Sequence, residues 1–235
     1  MKSDIFKIYG KLLQSYGPQG WWPLIELGSV NYQPGDKQYG GYHPNDFSFP
    51  KSEEQIFEIC VGALLTQNTS WNQAARALLN LHDKKLLNPK LILSASESAL
   101  HELIKPAGYF RQKTKKLKGF SKCFLELKGK TPKRKELLEA WGVGPETADS
   151  ILLYAYNKPF FVVDAYTKRV FSRIGIVDKN ATYHEIQKVA IKNLPEDSNL
   201  FNEYHALIVE LAKNVCNKRS LCSTCPIEKV CEKNM

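Results

Sequence analysis

Of the 235 residues of this chain, only one run, FFVV at 160–163, has the make-up of a strand. Four residues cannot build a sheet alone. The remaining apolar stretches repeat at helical spacing, which predicts an all-α fold with short connections. The first stripe is Ile5, Ile8, Tyr9, Leu12, Leu13 and Tyr16, broken by GPQGWWP. SEEQIFEICVGALL opens on a capping Ser and sets Ile56, Ile59, Cys60, Ala63 and Leu64 on one buried face. Further helices are expected at 71–81, 96–104, 114–127, 132–140, 146–157, 165–174, 183–194 and 201–215. Residues 31–50 are rich in Gly, Pro, Asn and Tyr without a period and read as a long surface loop. No repeat at a solenoid period is present.

At 43% hydrophobic and 24% charged residues, the composition is that of an ordinary globular protein. The formal net charge of +9 favours acidic partners, nucleic acid first among them. No apolar stretch is long enough to cross a bilayer, and no leader-like apolar run follows Met1–Lys2. The expectation is therefore a cytoplasmic protein that is not secreted and has no membrane partner, with its cysteines reduced. Four of the six cysteines fall in CNKRSLCSTCPIEKVC: Cys216, Cys222, Cys225 and Cys231. Thiolates that close together, after a long apolar helix, point to an iron–sulfur or metal site. Structural zinc is the alternative, although zinc sites more often pair two short C-x-x-C knuckles. Cys60 and Cys123 lie in apolar surroundings and read as core residues.

KRKELLEAWGVGPETADSILLYAY at 133–156 reads as helix, tight turn, helix. Gly142 and Gly144 suit a left-handed or closely approached backbone, and Pro145 suits the opening of a helix. Such a turn presents backbone N–H groups to an anion such as phosphate, with Lys133, Arg134 and Lys135 adding charge nearby. An ordinary helix–loop–helix would share the G-x-G turn.

WGVGPETADSILLYA, followed eighteen residues after Glu146 by the Asp of FVVDAYTKRVFSR, resembles the helix-hairpin-helix plus Gly/Pro–Asp signature of the endonuclease III superfamily of DNA glycosylases. The four cysteines resemble its iron–sulfur loop, LLTQNTSW at 64–71 its DNA-entering loop, and LIKPAGYFRQKTKKL at 103–117 its GxxxxKA-like helix. GPQGWWP, TQNTSW and GVGPETAD resemble in particular the endonuclease III-like 3-methyladenine glycosylases.

The resemblance implies a two-lobed helical fold with a C-terminal cluster loop. A six-helix barrel domain would span 56–160, and residues 1–55 with 161–235 would form the second lobe. The cleft between them would hold Glu146 and Asp164. It further implies a 4Fe-4S cluster on the four cysteines, and a monomer associated with the nucleoid that acts on double-stranded DNA containing damaged bases. Gln67 would fill the gap left by an extruded base, the hairpin turn with Gly142, Gly144 and Thr147 would contact the DNA backbone, and Lys213, Lys218, Arg219 and Lys229 could lie along it. An amide hydrogen-bonded to its own loop is the other reading of Gln67.

Two departures matter. Family members that also cut the backbone carry Lys where this chain has Glu146, and a carboxylate cannot form an imine. That implies base removal without strand cleavage, unless another Lys substitutes. Relatives specific for adenine or for thymine mismatches carry Ser or Tyr there, which Glu146 also argues against. The first cysteine interval, five residues, is one shorter than the family's.

Asp164 is the expected carboxylate beside the anomeric carbon, and a capping role for it is compatible with that. Glu146 would position water or the flipped nucleotide. Trp21, Trp22, Pro23 and Trp71 would supply aromatic faces for a cationic alkylated purine, each good stack contributing about 1–2 kcal/mol. For any single Trp, core packing is the competing reading.

Overall fold

The computed structural model describes residues 4–28 and 41–233. Among them the fold is all-α, with no strand beyond one isolated bridge, Leu24 to Gly41. Part of the expected loop at 31–50, residues 31–40, lies outside the described residues. Residues 41–50 carry no helix.

The chain divides into two compact units. One comprises residues 1–21, 44–47 and 157–235 and contains helices α1 (Ile5–Tyr16), α9 (Ala165–Ile174), α10 (Tyr183–Asn193) and α11 (Ser198–Asn214). The other comprises residues 22–43 and 48–156 and contains α2 (Glu53–Thr66), α3 (Trp71–Asp83), α4 (Pro89–Ser94), α5 (Glu97–Ile104), α6 (Phe110–Leu127), α7 (Arg134–Glu139) and α8 (Pro145–Ser150). Residues 22–28 join this second unit because Trp22 packs against Trp71 and Tyr154, and the Ile25 N–H donates to Glu58 at 2.8 Å.

Most helix starts follow from local chemistry. Asp4, Ser52, Asn88, Ser96, Asp164, Thr182 and Asp197 each accept a hydrogen bond from a backbone N–H of the first turn. Helix α2 is buried along Phe57–Leu65 on all sides rather than on one stripe, because α3, α6 and the segment after α8 surround it. In the other unit, Phe161, Phe171, Phe201 and Tyr204 form a ring cluster with centroids 5.4–6.2 Å apart. FFVV lies in neither a helix nor a strand. Its core residues Phe161, Val162 and Val163 are at most 4% exposed, and the Phe161 carbonyl accepts from Gln187 Nε2 at 2.8 Å. Burial, not sheet pairing, accounts for its composition. Cys60 is fully buried, whereas Cys123 is half-buried and lines a surface hollow with Glu126, Lys130 and Lys133, so the core assignment fails for Cys123.

Candidate active site and DNA-binding hairpin

Helices α7 and α8 form the hairpin. Gly142 has φ +79°, which requires glycine, and a Cβ there would lie 2.5 Å from Lys116 Cε. Gly144 differs: its φ is −94°, and a Cβ would meet no protein atom within 4 Å. Pro145 opens α8, and the helix widens into a π turn at Ile151–Ala155. Arg134 is not a free charge for an anion. Its Nε and Nη2 donate to Asp149 Oδ1 and Oδ2 at 2.6 and 3.0 Å, fixing α7 to α8, and Asp149 is completely buried.

Gln67, the residue closing α2, reaches the same turn. Its Nε2 donates to the Gly142 carbonyl at 3.0 Å and to Thr147 Oγ1 at 2.8 Å, and its Oε1 accepts from Lys116 Nζ. Three of the expected DNA-binding residues therefore form one hydrogen-bonded network, with Gly144 in the same turn. Glu146 is exposed in the first turn of α8.

The lysine that would stand in for an absent nucleophile is not offered here by Lys113. Burial, with Lys116 nearby, lowers its pKa to about 8, but Lys113 is only 2% exposed and its Nζ donates to the Leu65 and Ala107 carbonyls, both at 2.7 Å. Trp22 and Trp71 are each 7% exposed and meet edge to face, with centroids 5.1 Å apart at 89°. Pro23, next to Trp22 in the sequence, is also buried. These two indoles pack on one another.

In the other unit, Asp164 caps α9. Its Oδ1 accepts from the Thr167 N–H and hydroxyl at 2.7 and 2.9 Å, and His205 Nε2 lies 3.6 Å from Oδ2. Burial alone would raise this carboxyl's pKa. His205 and Thr167 outweigh it and hold the group below its ordinary value, as an anion at neutral pH. His205 is one of four consecutive residues of α11 that together secure three segments, at residue 5, at 19–21 and at 164. Asn202 Nδ2 donates to the Trp21 carbonyl at 2.7 Å, and Glu203 Oε1 accepts from the Gln19 N–H at 2.6 Å. Tyr204 donates to the Ile5 carbonyl at 3.0 Å. Trp21 itself is half-buried. Asn202, Glu203, His205 and Lys116 escaped the sequence reading. The one available signal was the polar run Asn-Glu-Tyr-His inside an otherwise apolar helix.

The four C-terminal cysteines are free thiols that line one small pocket together with Arg173, Ile174 and Ile227. Burial, reinforced by the neighbouring sulfurs, pushes the Cys225 and Cys231 thiols up. Arg173 Nη1 donates to Cys216 Sγ at 3.4 Å, to the Asn217 carbonyl at 2.7 Å and to Ser220 Oγ at 2.8 Å, tying the loop to α9. No three His, Cys, Asp or Glu side chains among the described residues are disposed to hold a metal ion as they stand. Four soft donors around one pocket nevertheless fit a thiolate-ligated group in kind and number.

Residues 61–196 match the family model of the HhH-GPD superfamily base excision DNA repair proteins. The chain belongs to this superfamily. A protein of Methanocaldococcus jannaschii, named as a candidate DNA repair glycosylase, is 44% identical over 97% of this chain and 95% of its own length. Among solved structures, the H. pylori 3-methyladenine DNA glycosylase bound to 1,N6-ethenoadenine superposes with a TM-score of 0.67 at 27% identity, covering 89% of this chain and 97% of the other. A trapped endonuclease III–DNA covalent intermediate shares the fold with a TM-score of 0.76 at 18% identity, covering 99% and 96%. The matched stretch takes in the hairpin at 134–150 and Asp164. No helix among the described residues is long and apolar enough to cross a membrane.

Proposed function

We propose that this HhH-GPD protein is a monofunctional DNA glycosylase that removes alkylated purines from duplex DNA. The observation that carries the reading is Asp164. It is a carboxylate kept ionised by His205 and Thr167, and the sequence resemblance puts the superfamily's signature Asp at this residue. In the reaction, the bond from C1′ to the base nitrogen breaks and the base leaves with the bonding electrons. The positive charge developing on the sugar is stabilised by Asp164. A water oxygen bonds to C1′ and its proton passes to the carboxylate. An N3- or N7-methylated purine is already cationic, so it departs neutral and needs no acid. Extruding the base costs a few kcal/mol, offset by contacts to the hairpin. The open space over Gly144 leaves room for a phosphate to approach the backbone.

The edges of the Trp22–Trp71–Tyr154 cluster would face the base, and the half-buried Trp21 is a separate aromatic candidate. The 27% identity to a 3-methyladenine glycosylase supports that substrate class. The edge-on closure of Trp22 on Trp71 favours a second reading, a glycosylase of this fold for oxidised or deaminated bases. Duplexes each bearing a single lesion separate the two: faster release of alkylated purine than of any neutral lesion is expected. The reverse order would move the assignment.

Glu146 at the lysine position and the engaged, buried Lys113 support the absence of lyase chemistry. Borohydride treatment with abasic duplex is expected to trap no covalent adduct. Efficient trapping would show that another amine attacks the sugar. For Cys216, Cys222, Cys225 and Cys231 we infer a 4Fe-4S cluster that, when bound, orders the loop and supplies no reaction step. The purified protein should carry iron and visible absorbance, and Cys222→Ser should lose both. Zinc in place of iron would identify a structural zinc site instead.

A further inference from the structure

Helix α2, helix α6 and the hairpin turn meet at a single amide, that of Gln67. Its Nε2 donates to the Gly142 carbonyl and the Thr147 hydroxyl, and its Oε1 accepts from Lys116. The Lys116 stem covers the turn itself: a Cβ on Gly142 would lie 2.5, 2.8 and 2.9 Å from its Cε, Cγ and Cδ. The Gly142 backbone, in the left-handed region, is thereby held from one side by a carbonyl hydrogen bond and covered from the other by an alkyl chain. Lys116 is half-buried, whereas the preceding Lys115 is exposed on the same helix. Insertion of Gln67 into a duplex would give up all three of its hydrogen bonds.

We propose that Lys116 is a positioning residue for DNA binding: with Gln67 it braces the 142–147 turn in the shape that presents its backbone N–H groups, rather than pairing its own charge with a phosphate. The proposal rests on the reading that the hairpin grips DNA. Two physical consequences separate a brace from a phosphate contact. A lysine that neutralises a phosphate lowers the slope of log K against log salt by about one when it is removed. A brace weakens binding with the slope unchanged. Two members of one hydrogen-bond network also have non-additive effects.

The test is duplex binding by fluorescence anisotropy across a salt series, using undamaged DNA. The proteins are the wild type, Lys116→Met, Lys116→Arg, Gln67→Ala and the Lys116→Met/Gln67→Ala double variant, with Lys115→Met as the charge-matched control. Amide hydrogen exchange of residues 142–147 is measured on the same proteins without DNA. Lys116→Met and Gln67→Ala should each weaken binding about tenfold, a change of about 1.4 kcal/mol. The double variant should be no weaker than the worse single one, and the salt slope of Lys116→Met should match the wild type. Lys116→Arg should recover most of the affinity. Exchange at 142–147 should be faster in both single variants. A slope lower by about one in Lys116→Met, multiplying effects, or unchanged exchange would each overturn the brace. If the wild-type protein binds no duplex at any salt concentration, the DNA reading fails, and exchange alone then decides whether the brace exists.

Discussion

Asp164→Asn is expected to slow base release by roughly 10²–10³-fold, the scale on which loss of one preorganised charge-stabilising group acts. The fold should survive. The amide oxygen of Asn can still accept the Thr167 N–H and hydroxyl that now bond Oδ1, and Asn is as good a helix N-cap as Asp. A single-turnover rate and a melting temperature measured on the same preparation separate the two effects. The rate should collapse while the melting temperature moves by about 2 °C or less. Because the folded pKa of Asp164 is depressed below 3.8, the stability it contributes is present above the ordinary carboxylate range and is lost as pH falls through the folded value. The native rate should accordingly show no acidic limb near neutrality from this group. A near-native rate for Asp164→Asn would remove the carboxylate from the reaction.

The largest expected effect on stability comes from Arg134. Its bidentate pair with Asp149 spans α7 and α8, and Asp149 is completely buried. Arg134→Met would leave that carboxylate in the core without its guanidinium, at a cost of about 3–5 kcal/mol. For a chain of this size, 1 kcal/mol corresponds to a shift of roughly 2–4 °C, so thermal unfolding should begin about 10 °C lower. The double variant Arg134→Met/Asp149→Leu, which removes the buried carboxylate as well, should recover much of the loss. A drop of less than about 3 °C for Arg134→Met alone would mean that Asp149 is satisfied by other groups.

The hairpin was legible in the sequence because its determinants are local. Gly142 needs its φ, Pro145 needs a helix start, and the two lie three residues apart. The capping role of Asp164 was legible for the same reason, since the helix it caps follows it directly. Helix α4, six residues starting at Pro89, is too short for a period to emerge. The first turn of α6 was missed because its cap, Tyr109, is a left-handed residue with no capping side chain. The positioning groups were out of reach for a different reason. Lys116 and Gln67 are 49 residues apart, Gln67 and Gly142 are 75 apart, and Asn202 and Trp21 are 181 apart. Nothing in spacing or composition reports a partner at that distance. Arg134 shows the converse error: a basic run beside an anion-binding turn suggested a surface charge, and the buried Asp149 on the next helix turned it inward. The edge-to-face contact of Trp22 with Trp71 was equally out of reach, the two lying 49 residues apart in the sequence.

The measurement that tests the central claim most directly is base release from dimethyl-sulfate-treated duplex DNA, with the freed bases identified by chromatography. Wild-type protein and Asp164→Asn are assayed side by side. The account predicts release of 3-methyladenine or 7-methylguanine by the wild type alone, leaving intact strands with abasic sites. No release by the wild type, or equal release by both proteins, would contradict it.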